Sequence, residues 1–241
     1  MTEELVLESS VGYDAVDRTG VLSLPGLFQI LQSGALQHAD RYDMGTRAIV
    51  SRGESWVLNR MAATVHRYPR YEEPVRLVTW SAGIRAFKGY REFRLYAGAE
   101  LLAAASSLWL YVSVATRSFL RVPEELAARF PCGTGATHYP DLDKLRFPAL
   151  AGSALPPCAV TLRFSDIDGN GHVNHTAYFD FLQTALVAAD RPPRPARLAI
   201  QFLKEITPAA CAVQVHLEPQ AAATAFTIAE PAGIFAQGRV G

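Results

Sequence analysis

Cysteine is scarce in this sequence, and the three that occur form no pattern. Cys132, Cys158 and Cys211 are odd in number, far apart, and match neither a Cys-x-x-Cys motif nor a Cys/His metal spacing. A disulfide scaffold and a structural zinc site are therefore not expected. Free thiols favour a reducing compartment, and we expect neither a metal nor another cofactor.

An excess of charge of one sign and a long apolar run are absent as well. The 23 basic and 23 acidic side chains of the 241 residues cancel, which removes the electrostatic footprint of a general nucleic-acid binder. The longest apolar run, 101–115, is shorter than the roughly 20 residues of a membrane-spanning helix. The start, MTEELVLESS, does not have the pattern of a signal or transit peptide. We therefore expect a cytoplasmic protein that binds neither nucleic acid nor membranes.

The sequence instead has a hydrophobic content of 49%, enough for a full core, arranged as one helix-and-strand unit used twice. From Ser23 to about Arg41, apolar residues recur at helical spacing behind an N-cap serine. A loop near 43–53 and four strand-like runs up to residue 114 follow. After a strand-like run over 158–168, Asn174 caps a second helix of the same kind. Further strand-like runs cover 196–206, 212–218, 223–229 and 234–240.

This order of elements predicts an α+β protein with a tandem (double) hotdog fold, in which two antiparallel sheets are each wrapped around a long helix. The predicted boundaries are an N-terminal unit over 1–130, a linker rich in proline and glycine over 131–157, and a C-terminal unit over 158–241. Such a chain is an internal pseudo-dimer with a groove between its units. Because fused units can pair again, a homodimer stays open.

Reactive side chains are crowded at one loop-to-helix junction, SDIDGNGHVNHTAY. Six residues there carry carboxylate, amide or imidazole groups: Asp166, Asp168, Asn170, His172, Asn174 and His175. A helix N-terminus stabilises the oxyanion that forms when a carbonyl carbon, such as that of a thioester, is attacked. His172 can act as acid or base near neutral pH, Asp168 as base, nucleophile or orienting group, and Asn170 as a hydrogen-bond donor.

Two other interpretations of this junction stay open. Asp, Asn and Gly also form Asx-rich turns for local reasons alone, and D-x-D-G-N-G resembles the start of a calcium loop, although the closing Glu and a preceding helix are missing. The matching junction of the first half reads VLSLPGLF and has no Asp, Asn or His. That asymmetry favours chemistry in the second half and binding in the first.

Nearly the whole chain resembles the acyl-acyl carrier protein thioesterases, the plant plastid enzymes and bacterial relatives that release fatty acids from acyl carrier protein. The resemblance rests on the segments LPGLFQILQSGALQHADRYDMG, SWVLNRMAATVHRYPRYEEPVRLVTWS, FKGYREFRLY through FLRVPEEL, DIDGNGHVNHTAYFDF and QFLKEI. It implies thioester hydrolysis that terminates fatty acid synthesis, with acyl carrier protein as partner. That carrier is acidic, and the 11 basic against five acidic residues over 41–94 offer a docking face, unless they are ordinary solvated surface.

The resemblance also assigns site residues. It places the catalytic residues of the family on Asp168, Asn170, His172 and Glu205. Glu205 is in addition a carboxylate near the end of an apolar strand, where the alternative is a solvated charge paired with Lys204. Ile206 stands where the plant enzymes have a cysteine, which excludes a thiol nucleophile at that place.

Substrate-binding residues follow from the same resemblance, which implies that the first helix lines the acyl pocket. The residues that it indicates are Leu27, Ile30, Leu31, Trp56 and Asn174. The three on the helix can equally be ordinary core residues, because a helix on a sheet needs such a stripe. Acyl-CoA hydrolysis and non-catalytic acyl binding stay as alternatives. Chain length, the choice of carrier, and direct water attack against a covalent route are left open.

Overall fold

A computed structural model describes residues 4–147, 150–152 and 155–241. The N-terminal part contains, in chain order, β1 (Glu4–Ser10), α1 (Leu24–Asp40), α2 (Thr46–Val50), β2 (Glu54–Val65), β3 (Pro74–Arg85), β4 (Lys88–Ala97), β5 (Glu100–Ser113) and α3 (Glu124–Arg129). The C-terminal part contains β6 (Cys158–Thr161), α4 (His175–Ala188), β7 (Arg197–Phe202), β8 (Ala212–Pro219), β9 (Thr224–Glu230) and β10 (Gly233–Val240). Four residues of the predicted linker, 148, 149, 153 and 154, lie outside the described ranges.

Both predicted helix starts are confirmed. Ser23 Oγ accepts a hydrogen bond from the Gly26 N–H at 3.1 Å at the start of α1, and Asn174 Oδ1 accepts from the Thr176 N–H at 2.9 Å at the start of α4. These side chains satisfy backbone donors that the first turn of a helix leaves unpaired. In α1, Gly34 allows close contact with β3, because a Cβ there would clash with Leu77.

The two predicted sheets meet edge to edge and form one antiparallel sheet of ten strands in the order β1-β3-β4-β5-β2-β7-β10-β9-β8-β6. The joint is the pairing of β2 with β7, in register from Arg60 opposite Gln201 to Thr64 opposite Arg197. The α+β tandem hotdog arrangement is thus confirmed, with hydrogen bonding continuous across both units.

The long helices of the two units pack against each other within one core. The rings of Phe28 in α1 and Phe179 in α4 are stacked, with centroids 3.6 Å apart. Buried residues of both helices and of strands from both units form a single hydrophobic cluster. Alternate residues of β2 face opposite sides of the sheet, so that Met61 joins this cluster whereas Ala62 faces a smaller one on the other side.

The predicted linker covers that other side. Leu142, in a short 3-10 turn, is 2% exposed and packs with Ala62, Leu108 and Ala199. The Tyr139 N–H donates to Ser106 Oγ at 3.0 Å. The segment without periodicity is therefore held on the back of the sheet by specific contacts.

Several element boundaries differ from the expectation. Strand β1 was not predicted, and α2 lies inside the predicted loop over 43–53, where the burial of Ile49 stabilises a helix too short to be stable alone. The predicted strand over 158–168 ends at Thr161. The one over 196–206 ends at Phe202, after which the Leu203 and Lys204 N–H groups both donate to Phe235 O of β10, at 2.8 and 3.2 Å, and the regular pairing stops. None of the helices in the described ranges is long and apolar enough to cross a membrane.

Candidate active site

The reactive junction folds as a tight turn ahead of α4. Ile167 and Val173 form an isolated antiparallel pair that closes it. Within it the Asp168 N–H donates to His172 O at 2.9 Å, and Asp168 Oδ1 accepts from the Asn170 N–H at 2.8 Å. The Asx turn weighed as an alternative is therefore present, and it also holds the three predicted catalytic residues of this segment on one loop.

The first unit contains the same turn, which corrects the expected asymmetry. The Asp17 N–H donates to Val21 O at 2.9 Å, and Asp17 Oδ1 accepts from the Thr19 N–H at 2.8 Å. Asp17 thus occupies the place of Asp168, and the aspartate side chain stabilises the turn in both units. The two turns differ chemically at the positions two and four residues after the aspartate. Thr19 and Val21 stand there in the first unit, and Asn170 and His172 in the second.

Glu205 reaches the turn from the segment after β7. The Val173 N–H donates to Ile206 O at 2.9 Å, which fastens this segment beside the turn. Glu205 Oε2 lies 3.4 Å from His172 Nε2, with the two side chains 35% and 21% exposed. The structure therefore brings His172 and Glu205 together, although Glu205 lies beyond the strand to which it was assigned. In the first unit the equivalent bond, Leu22 N–H to Pro69 O at 2.8 Å, puts a tyrosine, residue 68, in the corresponding place.

A residue that the sequence did not indicate contacts the same carboxylate. Arg117, in the turn after β5, donates from Nη1 to Glu205 Oε2, the oxygen that also faces His172. Lys204, the alternative partner considered for Glu205, instead lies 3.6 Å from Glu230. An exposed arginine in a distant loop carries no local pattern, so only the fold could reveal this contact.

An apolar cavity of about 100 Å³ lies beside the turn, and Asn170 forms part of its wall. The rest of the wall comes from the C-terminal half of α1, from Met44, Gly45 and α2, from β2 to β5, and from Phe130 after α3. Apolar residues that line it include Ala35, Ala39, Met44, Ile49, Trp56 and Trp109. Asn170 therefore connects the polar turn to an apolar space built by the first unit.

Leu27, Ile30 and Leu31, the predicted pocket residues of α1, do not line this cavity. Leu27 and Leu31 are each 1% exposed in the main core, and Ile30 packs against that core. The cavity lies further along the same helix, at Ala35 and Ala39. The α1 residues that pack in the core and those that line the cavity are both apolar and both recur at helical spacing. The hydrophobic periodicity of the sequence therefore could not distinguish the two sets. Trp56, by contrast, does line the cavity.

An open groove of about 380 Å³ lies on the other side of the turn. Asp168 borders this groove, whereas Asn170 borders the apolar cavity, and Leu36 of α1 borders both. The polar residues along it include Gln29, Gln32, Ser33, Ser165, Asn174 and Thr176. Asn174, predicted to bind substrate, thus caps α4 and lines the groove rather than the apolar cavity.

Asp166 has a structural role in this region. Its side chain is 3% exposed and lies 2.8 Å from Arg163 Nη2, while the same guanidinium also contacts Asp180 in α4. Asp166 therefore fixes the chain that leads into the turn.

His175 lies in apolar surroundings. Its ring packs edge-on against Trp109 and Phe202, with centroids 5.9 and 6.1 Å away. Burial lowers the pKa of His175 to about 4, because desolvation disfavours the charged imidazolium. His175 is therefore neutral at pH 7, and His172 is the histidine of this junction that the geometry offers for proton transfer.

His175 should make the stability of the protein depend on pH. Its pKa falls from 6.5 to about 4 on folding, so between these values the unfolded chain binds the extra proton, and stability drops as the pH falls through this window. The loss due to His175 is about 3 kcal/mol. Urea unfolding measures the free energy of unfolding at pH 7 and at pH 4. Between these two pH values His175→Gln should lose about 3 kcal/mol less of it than the wild type does. The half-buried His216→Gln should behave as wild type, and an unchanged pH dependence in His175→Gln would contradict the assignment.

Residues 7–130 match the family model "Acyl-ACP thioesterase N-terminal domain", and residues 158–229 match "Acyl-ACP thioesterase C-terminal domain". A chloroplastic acyl-[acyl-carrier-protein] hydrolase of Cuphea viscosissima is 27% identical over 178 residues, which cover 69% of this chain and 42% of that relative. The chain thus spans less than half the length of this curated relative.

Two solved structures share the fold. The 12:0-ACP thioesterase from Umbellularia californica has a TM-score of 0.82 at 17% identity, over 100% of this chain and 97% of that one. An acyl-ACP thioesterase from Bacteroides thetaiotaomicron has a TM-score of 0.79 at 18% identity, over 99% and 97%. With family models that match both units in order, the chain belongs to the acyl-acyl carrier protein thioesterase family.

Proposed function

We propose that this protein hydrolyses the thioester of fatty acyl-acyl carrier protein and releases a free fatty acid, which terminates fatty acid synthesis. The observation that carries the proposal is the position of Asn170, in the wall of an apolar cavity and two residues from the His172–Glu205 pair. An acyl chain that enters that cavity brings its thioester carbonyl to the turn. At about 25 Å³ per carbon atom the cavity holds roughly four carbons, so a fatty acyl chain has to widen it. Membership of the family supports the same activity.

The roles of the residues follow from their places. The amide of Asn170 donates to the carbonyl oxygen, on which negative charge develops as the carbonyl carbon is attacked. His172 and Glu205 activate water or relay protons, and Asp168 acts as general base or nucleophile. Water adds to the carbonyl carbon, the carbon–sulfur bond breaks, and the sulfur takes up a proton and leaves as a thiol. Direct attack by water and a covalent route through an anhydride intermediate on Asp168 give the same products.

The polar groove suits the part of the substrate beyond the sulfur. Acyl carrier protein and CoA both present the thioester on a pantetheine arm, which contains amides and a hydroxyl. The amide and hydroxyl groups of Gln29, Gln32 and Ser33 can pair with such an arm. With the acyl chain in the cavity and the arm in the groove, the thioester lies between Asn170 and Asp168.

For the carrier itself we infer docking near α2. The excess of basic residues over 41–94 is partly neutralised by acidic residues outside that range, since Arg67 lies 2.7 Å from Glu100 and Lys88 lies 3.5 Å from Asp143. Arg47 in α2 and Arg41 at the end of α1 are exposed, and other residues of α2 line the cavity. The compartment that we infer is the cytoplasm, because Cys132, Cys158 and Cys211 are free thiols.

Wild-type protein should release thiol from acyl-carrier-protein thioesters faster than from CoA thioesters of equal chain length. His172→Ala and Glu205→Gln should lower kcat by about 10²- to 10⁴-fold, and Asn170→Ala by about 10²- to 10³-fold. His216→Ala is the matched control and should keep wild-type turnover. Preference for CoA would identify an acyl-CoA thioesterase instead. Acyl binding without thiol release would identify a binding protein.

Ala39→Leu should shift the products to shorter chains. A 150 Å³ cavity holds benzene, or about 25 Å³ per carbon atom, so the three added carbons take up roughly three quarters of the 100 Å³ cavity. The free fatty acids released from a mixed acyl-carrier-protein pool measure the effect. Ala188→Leu, on an exposed site of α4, is the control, and a wild-type product profile in a folded Ala39→Leu protein would exclude this cavity as the acyl site.

Gln32→Ala should weaken binding of the arm alone. We expect KM for an acyl-pantetheine thioester to rise by roughly 2- to 10-fold, the effect of one lost hydrogen bond. KM for the acyl-N-acetylcysteamine thioester, which lacks most of the arm, should not change. Gln37→Ala, exposed on the same helix and away from the groove, serves as control. Equal effects on both substrates would place the arm elsewhere.

A further inference from the structure

Arg117 joins the two units at the candidate reaction centre. It belongs to the first unit, in the turn between β5 and α3, whereas Glu205 follows β7 in the second. Arg117 Nη1 donates to Glu205 Oε2, and the same oxygen lies 3.4 Å from His172 Nε2. One carboxylate oxygen is thus shared between a permanent cation and the imidazole.

Backbone and side-chain hydrogen bonds fix the turn that carries Arg117. Arg117 has φ 58°, in the left-handed region that a long side chain rarely adopts. The Arg117 N–H donates to Ser113 O at 2.9 Å, and the Ser113 N–H to Ser118 O at 2.9 Å. The hydroxyls of Thr116 and Ser118 are 2.8 Å apart. Hydrogen bonds on both sides therefore hold the Arg117 backbone in one conformation.

The ion pair has little value for stability. The Arg117 and Glu205 side chains are 57% and 35% exposed, and ion pairs this open to water contribute little to folding. A guanidinium that is always charged does, however, determine where a carboxylate lies and which oxygen is turned to the imidazole. Lys204 is engaged with Glu230, which leaves Arg117 as the cation that Glu205 contacts within the described residues.

We propose that Arg117 is a positioning residue, which the first unit supplies to orient Glu205 toward His172 in the second. The inference rests on the proposed thioester hydrolysis. It means that the first unit contributes to the chemical step as well as to acyl binding. Because Arg117 acts through Glu205, its removal should change turnover and leave substrate binding nearly intact.

The test compares Arg117→Gln, Arg117→Lys and the control Arg121→Gln, an exposed arginine of the same segment, with an acyl-carrier-protein thioester. Arg117→Gln should lower kcat by roughly 10- to 100-fold, the cost of misplacing a reacting group, and change KM by less than about twofold. Arg117→Lys should recover part of the loss. Arg121→Gln should match wild type, and thermal unfolding should confirm that each variant is folded.

The Glu205→Gln background separates positioning from any other role. If Arg117 acts through Glu205, Arg117→Gln should cause no further loss of kcat in that background. The same loss in both backgrounds, unchanged kcat in the single variant, or a raised KM with intact kcat, as for a contact with the carrier, would overturn the proposal. An inactive wild type would instead reject the thioesterase function itself.

Discussion

The pairing of β2 with β7 is the constraint on which the rest of the structure depends. It joins two five-stranded halves into one sheet and fixes how the units face each other. The stacked rings of Phe28 and Phe179 fix the same relation on the helical side. Where the joint ends, Asn59 Nδ2 donates to Phe202 O at 3.1 Å, and the chain leaves the sheet toward Glu205. The contacts across the two units can form only because this joint holds them in register.

Two copies of one turn show how a pseudo-dimer can carry one reaction centre. The hydrogen bonds that fix the turn of Asp168 recur around Asp17 with nearly the same lengths. The aspartate therefore stabilises the turn in both units, whatever else it does at the second site. What distinguishes the second copy is the amide and imidazole of Asn170 and His172, together with Glu205. The shared backbone thus carries an amide, an imidazole and a carboxylate at the second junction, where the first has Thr19, Val21 and Tyr68.

Local patterns in the sequence predicted the features that interactions between neighbouring residues determine. Caps, helix stripes and the crowded turn could be recognised because a few neighbouring residues determine them. The strand β1 and the helix α2 could not, since partners distant in sequence stabilise them. The part of α1 that borders the cavity could not be predicted for a related reason: residues of α1 that line empty space and residues that fill the core have the same apolar character. Arg117 reaches Glu205 only through the tertiary fold.

In the proposed mechanism the first unit holds the acyl chain while the second carries the thioester carbonyl at its turn. A crystal structure of Glu205→Gln with an acyl-pantetheine analogue, in which a methylene replaces the sulfur, tests it most directly. We expect to find the chain between Ala39 and Ile49, the ketone oxygen within hydrogen-bonding distance of the Asn170 amide, and the arm along Gln32. A chain lodged elsewhere, with the ketone remote from the turn, would contradict it.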